Sequence, residues 1–130
     1  MKIILCLDDN NGMLFNNRRQ SRDSVLTDDI FNDLKGERLN ILPFSQQLFS
    51  SYESNVNIVS DVEADGVYFI ENLDITPFLE NIDEIVVYRW NRVYPSDFSC
   101  NADFSQFTVK SEAELQGSSH EKISKIIYGR

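Results

Sequence analysis

The chain has 130 residues, with 12 Lys and Arg against 21 Asp and Glu, and a net charge of −9. That length fits one core over residues 1–130, and a composition 42% hydrophobic and 12% aromatic excludes a disordered or low-complexity chain. So acidic a balance argues against nucleic acid and anionic membrane as partners. Cys6 and Cys100 make no disulfide framework, and with the single histidine, His120, they make no zinc site.

The opening run Lys2–Leu7 is continuously apolar and ends in Asp8-Asp9-Asn10-Asn11-Gly12. It reads as a strand buried on both faces, too short for a signal peptide or a membrane span, and a cytoplasmic protein is expected. An Asn- and Arg-rich loop follows, then a helix over Arg22–Lys35. In that helix Leu26, Ile30 and Leu34 recur every four residues, and Gly36 stands at its C-terminal end. Leu39–Leu42 is a short strand, and Pro43 opens a second helix carrying Phe44 and Leu48. Asn55–Ser60 and Gly66–Ile70 are strands, and Asp74–Leu79 is a short helix with Asp74 as its N-cap. Glu84–Trp90 is the second fully buried strand. Phe107–Lys110 and Lys122–Tyr128 close the chain as an antiparallel pair across Gly117-Ser118-Ser119. Alternating strands and helices predict a mainly parallel sheet with helices on both faces and an antiparallel edge.

This order, with its local strings, resembles dihydrofolate reductase. Ile3-Ile4-Leu5-Cys6-Leu7-Asp8 and Asn11-Gly12-Met13-Leu14 are similar to that family's first strand and the start of its substrate loop. Leu39-Asn40-Ile41-Leu42, Asn57-Ile58-Val59-Ser60, Val67-Tyr68-Phe69-Ile70, Ile85-Val86-Val87-Tyr88 and Asp97-Phe98 follow in the family's order. The resemblance implies a dihydrofolate-reductase-like α/β fold. It also implies a cleft carboxylate at Asp23, with Asp28 as a competing match because the loop after Gly12 is short.

The departures are as informative. Where the family carries a Gly-Gly pair for its nicotinamide cofactor stands Glu71-Asn72-Leu73, and Pro43-Phe44 replaces a Gly-Arg pair. The substrate loop has no Pro-Trp. Independently, no Lys or Arg occurs between Arg38 and Arg89, a stretch that holds Glu53, Asp61, Glu63, Asp65, Glu71, Asp74, Glu80, Asp83 and Glu84. A dinucleotide needs cations and glycines that let backbone N–H groups approach its phosphates. No Gly-x-Gly occurs anywhere in the chain. No cofactor and no metal are therefore expected, and an NADPH-dependent reductase is excluded.

Two surfaces remain as candidate sites. Arg18, Arg19 and Arg22, with Arg89 and Arg92 from the end of the second buried strand, are expected at the cleft mouth, where ligands bind in open α/β sheets. With Asp23 and a nearby Tyr88 they suit a small anionic ligand, or Asp23 acts as a carboxylate of raised pKa. Set against this, the arginines are also what a solvated loop would carry, and Asp23 what a helix start would carry. The acidic stretch, with Glu71, Asp74, Glu80 and Asp83 as its named members, suits a basic protein partner. His120 with Glu121 and Ser118-Ser119 has the composition of a nucleophile set, but neighbours in a hairpin turn seldom face one another, and it reads as a turn. Cys6 reads as a buried apolar residue, and Trp90 and Tyr94 as core or as partner anchors. The expected function is a non-catalytic acidic interaction protein holding a basic partner, an immunity protein against a nuclease toxin being one such case. The alternative is a small-molecule binder, or a cofactor-independent enzyme, using the retained cleft.

Overall fold

The computed structural model describes residues 1–63 and 65–130. In chain order its elements are β1 (Lys2–Leu7), β2 (Gly12–Phe15), β3 (Arg18–Arg19), α1 (Ser24–Leu34), β4 (Leu39–Ile41), β5 (Val56–Ile58), β6 (Val67–Phe69), β7 (Glu84–Arg89), β8 (Phe98–Ser99), β9 (Thr108–Leu115) and β10 (Ile123–Gly129). A seven-stranded sheet runs β5-β4-β6-β1-β7-β10-β9, and a smaller sheet runs β3-β2-β8. From β5 to β7 every pairing is parallel; β10 then pairs antiparallel with both β7 and β9. The main architecture is the one the alternating strands and helices predict.

The apolar runs dictate the centre. β1 and β7 lie side by side with Ile3 against Ile85 and Leu5 against Val87. A strand's side chains alternate between faces. Ile3, Leu5, Leu7, Ile85 and Val87 therefore enter one core, and Ile4, Val86 and Tyr88 the other. On the second face α1 lays down Leu26, Ile30 and Leu34. Beside it Phe49 packs edge-on to Phe31 and Phe69, with ring centroids 5.7 and 5.0 Å apart. Each such fully buried side chain contributes roughly 1.5–3 kcal/mol of transfer free energy.

Helical cover is thinner than the sequence predicts. Pro43–Ser45, Ser50–Asn55 and Thr76–Asn81 are 3-10 turns, not α-helices. The first two lie in a Ser-, Gln- and Asn-rich stretch whose short side chains compete for backbone hydrogen bonds. The N-cap of the last turn is Ile75 and not the expected Asp74, whose carboxylate, one residue earlier, accepts from the Thr76 N–H at 3.0 Å. On the first face, Ile75 and Ile82, which flank the last of these turns, share the cover with Met13 and Leu14 of the small sheet. β9 extends to Leu115, well past the expected Lys110. As an edge strand exposed along most of its length, it carries no apolar alternation by which to read it.

Candidate functional site

The loops that leave β1, β6 and β7 meet at the C-terminal end of the parallel strands, and Asp8 ties two of them together. Fully buried, it accepts from the N–H groups of Gly12 (2.7 Å), Asn10 (2.9 Å) and Tyr94 (3.0 Å) and from Gln20 Nε2 (3.1 Å). Burial alone would raise its carboxyl; these donors reverse that and hold it below the usual carboxylate range. The arrangement turns residues 8–12 back over the strand ends and starts the β2–β3 hairpin, which the Asn-rich sequence did not announce.

β3 then delivers Arg19 to Glu71, two residues past the end of β6. The guanidinium donates through Nε to Oε1 at 2.8 Å and through Nη2 to Oε2 at 2.9 Å, a two-point geometry particular to arginine. Ser45 Oγ donates to Oε2 at 2.6 Å. Glu71 is 8% exposed. Two sequence expectations are corrected together: Glu71 is not part of an acidic surface, and Arg19 is not an open ligand donor. Each satisfies the other, because the hairpin folds Arg19 across the sheet onto a residue 52 positions away.

Asp23 is the N-cap of α1 and accepts from the Val25 N–H at 3.0 Å. It is also the anchor of the β9–β10 turn, accepting from the N–H groups of Ser118 (3.0 Å) and Ser119 (2.9 Å) and facing His120 Nδ1 at 3.0 Å. Only glycine fits at Gly117, where a Cβ would lie 2.4 Å from Asp23 Oδ2. Burial would raise the carboxyl, but the two backbone donors and His120 outweigh it and hold it far below the usual range. The raised pKa proposed for a proton-donating Asp23 is thus corrected: six donors surround a carboxylate that stays ionised.

The other sequence candidates disperse. Tyr88 lies on the α1 face, farther along the helix than Asp23, and its hydroxyl donates to Asp29 at 2.7 Å, which with burial keeps the phenol protonated. Lys125 pairs with that same Asp29 at 2.8 Å and with Asp33. Arg89 Nη1 donates to the Asp8 carbonyl (3.0 Å) and to Asn11 Oδ1 (2.7 Å). Arg18, Arg22 and Arg92 are exposed. Arg18 borders a hollow with Phe15 and Tyr94, whereas Arg22 borders the hollow at Asp23, so the arginines share one end of the sheet without converging on one pocket. Asp28 is exposed and accepts from Tyr52.

Between the Arg19–Glu71 pair and the Asp23 hub lies a narrow pocket bordered by Met13, Ser21, Leu26, Phe49 and Trp90. Its cavity volume is about 20 Å³, room for about one or two waters. Cys6 also borders it, its thiol held protonated by burial. A wider, open groove continues from Arg22 and Asp23 past Thr27 to Leu48 and Tyr52.

Sequence reasoning missed what gathers at His120. The ring is 6% exposed, stacked on buried Trp90 at 4.6 Å, and its Nε2 meets both Ser21 Oγ (3.0 Å) and the Tyr94 hydroxyl (3.1 Å). The turn reading stands for residues 117–119, but His120 faces a carboxylate 97 positions away, not its neighbour Glu121. No spacing in the chain could have signalled that.

The acidic residues divide as well. Glu80 and Asp83 are exposed beside Glu63 and Asp65, at the opposite end of the sheet, around the amino group of Met1. That amino group lies 2.8 Å from Asp83 and 3.6 Å from Asp65. Asp74, though exposed, belongs to the other end, near Cys100.

No protein-family model matches this chain, and no curated protein matches it by sequence. Among solved structures, a dihydrofolate reductase from Enterococcus faecalis, complexed with NADP(H) and RAB-propyl, is similar in fold with a TM-score of 0.68. The likeness covers 100% of this chain and 96% of that one at 12% sequence identity. At that identity it speaks for the fold alone. The chain has a dihydrofolate-reductase-like α/β fold.

Proposed function

We propose that this chain is an acidic protein-binding domain built on a reductase-like scaffold that no longer takes a nicotinamide dinucleotide. The observation that carries the reading is the placement of charge. Glu71, two residues past β6, is a buried carboxylate held by Arg19 and Ser45, and Asn72 and Leu73 follow it. A dinucleotide's phosphates require approachable N–H groups and cations; here side chains stand where glycines would let the backbone approach, and the nearby guanidinium of Arg19 is already taken up by Glu71. The residues do not fit that group. Meanwhile Glu63, Asp65, Glu80 and Asp83 stand exposed around one hollow, the arrangement that steers a cationic protein.

Two measurements test this. Calorimetric titration with NADPH should give no saturable binding; a micromolar Kd, about −8 kcal/mol, would overturn the cofactor-loss reading. Surface-plasmon binding to a panel of cationic nucleases, with acidic proteins as controls, should give association rates that fall steeply between about 0.02 and 0.5 M salt. Binding insensitive to salt, or binding only to small anions at Arg18 or Arg22, would overturn the acidic-edge reading and favour the arginine end.

A further inference from the structure

We propose that Ser21, His120 and Asp23 form a nucleophilic relay that hydrolyses small carboxylic esters. The proposal goes beyond the partner-binding reading and uses none of its residues. Three features of the geometry carry it.

The first is the order of contacts. Asp23 Oδ2 is 3.0 Å from His120 Nδ1, and His120 Nε2 is 3.0 Å from Ser21 Oγ. A carboxylate only accepts, so in the neutral ring Nδ1 carries the hydrogen and Nε2 offers its lone pair to the serine hydroxyl. That is the tautomer a general base for serine must have, recognised by geometry and role irrespective of fold or chain order. The second is rigidity. Asp23 is fixed by the cap of α1 and by the Ser118 and Ser119 N–H groups, and the imidazole lies against Trp90. Neither partner has to reorganise for proton transfer. The third is access. His120 and Asp23 are buried, whereas Ser21 is partly exposed and borders the narrow pocket. That pocket, with room for about one or two waters, admits only the smallest acyl group, an acetyl methyl, and the open groove past Arg22 suits the alcohol portion. Arg22 has no ion-pair partner among the described residues. It borders both hollows and is the cation available to the developing oxyanion.

In the reaction, Ser21 Oγ attacks the ester carbonyl carbon while its proton passes to Nε2. The tetrahedral adduct expels the alkoxide, which takes that proton and leaves as the alcohol. Water then adds to the acyl-serine by the same route, giving the carboxylic acid and restoring Ser21. Tyr94 competes for Nε2 at 3.1 Å and so restrains the relay.

The test incubates the full chain with a fluorophosphonate probe and, separately, with p-nitrophenyl acetate, and maps the modified residue by mass spectrometry. A single adduct on Ser21 is expected, with labelling and ester turnover reduced about 100-fold or more in Ser21→Ala and His120→Gln. Should His120→Gln fail to show a native circular-dichroism spectrum, Tyr94→Phe decides, since it keeps the imidazole and removes the competitor: a faster reaction supports the relay. No adduct, an adduct elsewhere, an unchanged rate in folded His120→Gln, or no acceleration in Tyr94→Phe would overturn it. None of those outcomes bears on salt-dependent binding at the acidic edge.

Discussion

The two ends of the parallel sheet handle charge in opposite ways. At the C-terminal end, Glu71, Asp8 and Asp23 are each less than a tenth exposed and each surrounded by donors. At the N-terminal end, Asp65 and Asp83 keep side-chain exposures of 101% and 85%, with the Met1 amino group as their paired cation. A buried carboxylate is tolerable only with partners, so the first set specifies loop positions and couples distant segments. An exposed set does neither and is free to act on something outside the chain. Charges of the same type thus serve structure at one end and, in the function proposed above, would serve recognition at the other.

The largest expected effect comes from breaking the buried pair. Glu71→Leu strands the Arg19 guanidinium and the Ser45 hydroxyl, and should cost about 3 kcal/mol in urea unfolding. Replacing both partners, Arg19→Met with Glu71→Leu, should recover most of it, because neither charge is then left alone. Failure of the double variant to recover would mean that the pair positions the β2–β3 hairpin in a way that apolar packing cannot replace.

Asp23→Ala should follow at about 2 kcal/mol, from the lost cap and the lost charged acceptors for the turn. Its pH dependence has a definite sign. The folded carboxyl is depressed, so its stabilisation is fully present above the unfolded value and disappears as pH falls through the folded one. The stability gap between wild type and Asp23→Ala should therefore narrow as pH falls below about 4. A gap independent of pH would show that the charge of Asp23 does not matter. At Gly117 an added methyl meets that same carboxylate at 2.4 Å and the His120 carbonyl oxygen at 2.8 Å, and Gly117→Ala should cost about 1–2 kcal/mol, a loss that Asp23→Ala relieves only in part because the backbone contact remains.

The smallest effect on the fold belongs to the exposed end. Reversing Glu63, Glu80 and Asp83 to lysine should leave the thermal midpoint nearly unchanged while slowing association with a cationic partner about tenfold at low salt. A marked loss of stability would place those residues with the structural set and erase the contrast between the ends.

What was legible in the chain follows from the range of the interactions. β1 and β7 were readable because a strand buried on both faces has to be apolar throughout, a local signature. α1 was readable from its four-residue repeat and from Gly36 after it, whereas the expected start at Arg22 placed Asp23 inside the helix and not at its cap. The turns at Pro43 and Thr76 read as helices because proline at a helix start and apolar spacing look the same in a 3-10 turn.

By itself the sequence determined the parallel sheet, its apolar centre, the acidic total and the absence of a glycine-rich phosphate loop, since each is a property of composition or of neighbouring residues. Tertiary structure alone decided that Arg19 neutralises Glu71, that Asp23 holds the β9–β10 turn, and that His120 lies between Asp23 and Ser21. These pairs are separated by 52 to 99 positions, and a hydrogen bond acts over about 3 Å of space with no dependence on the distance along the chain.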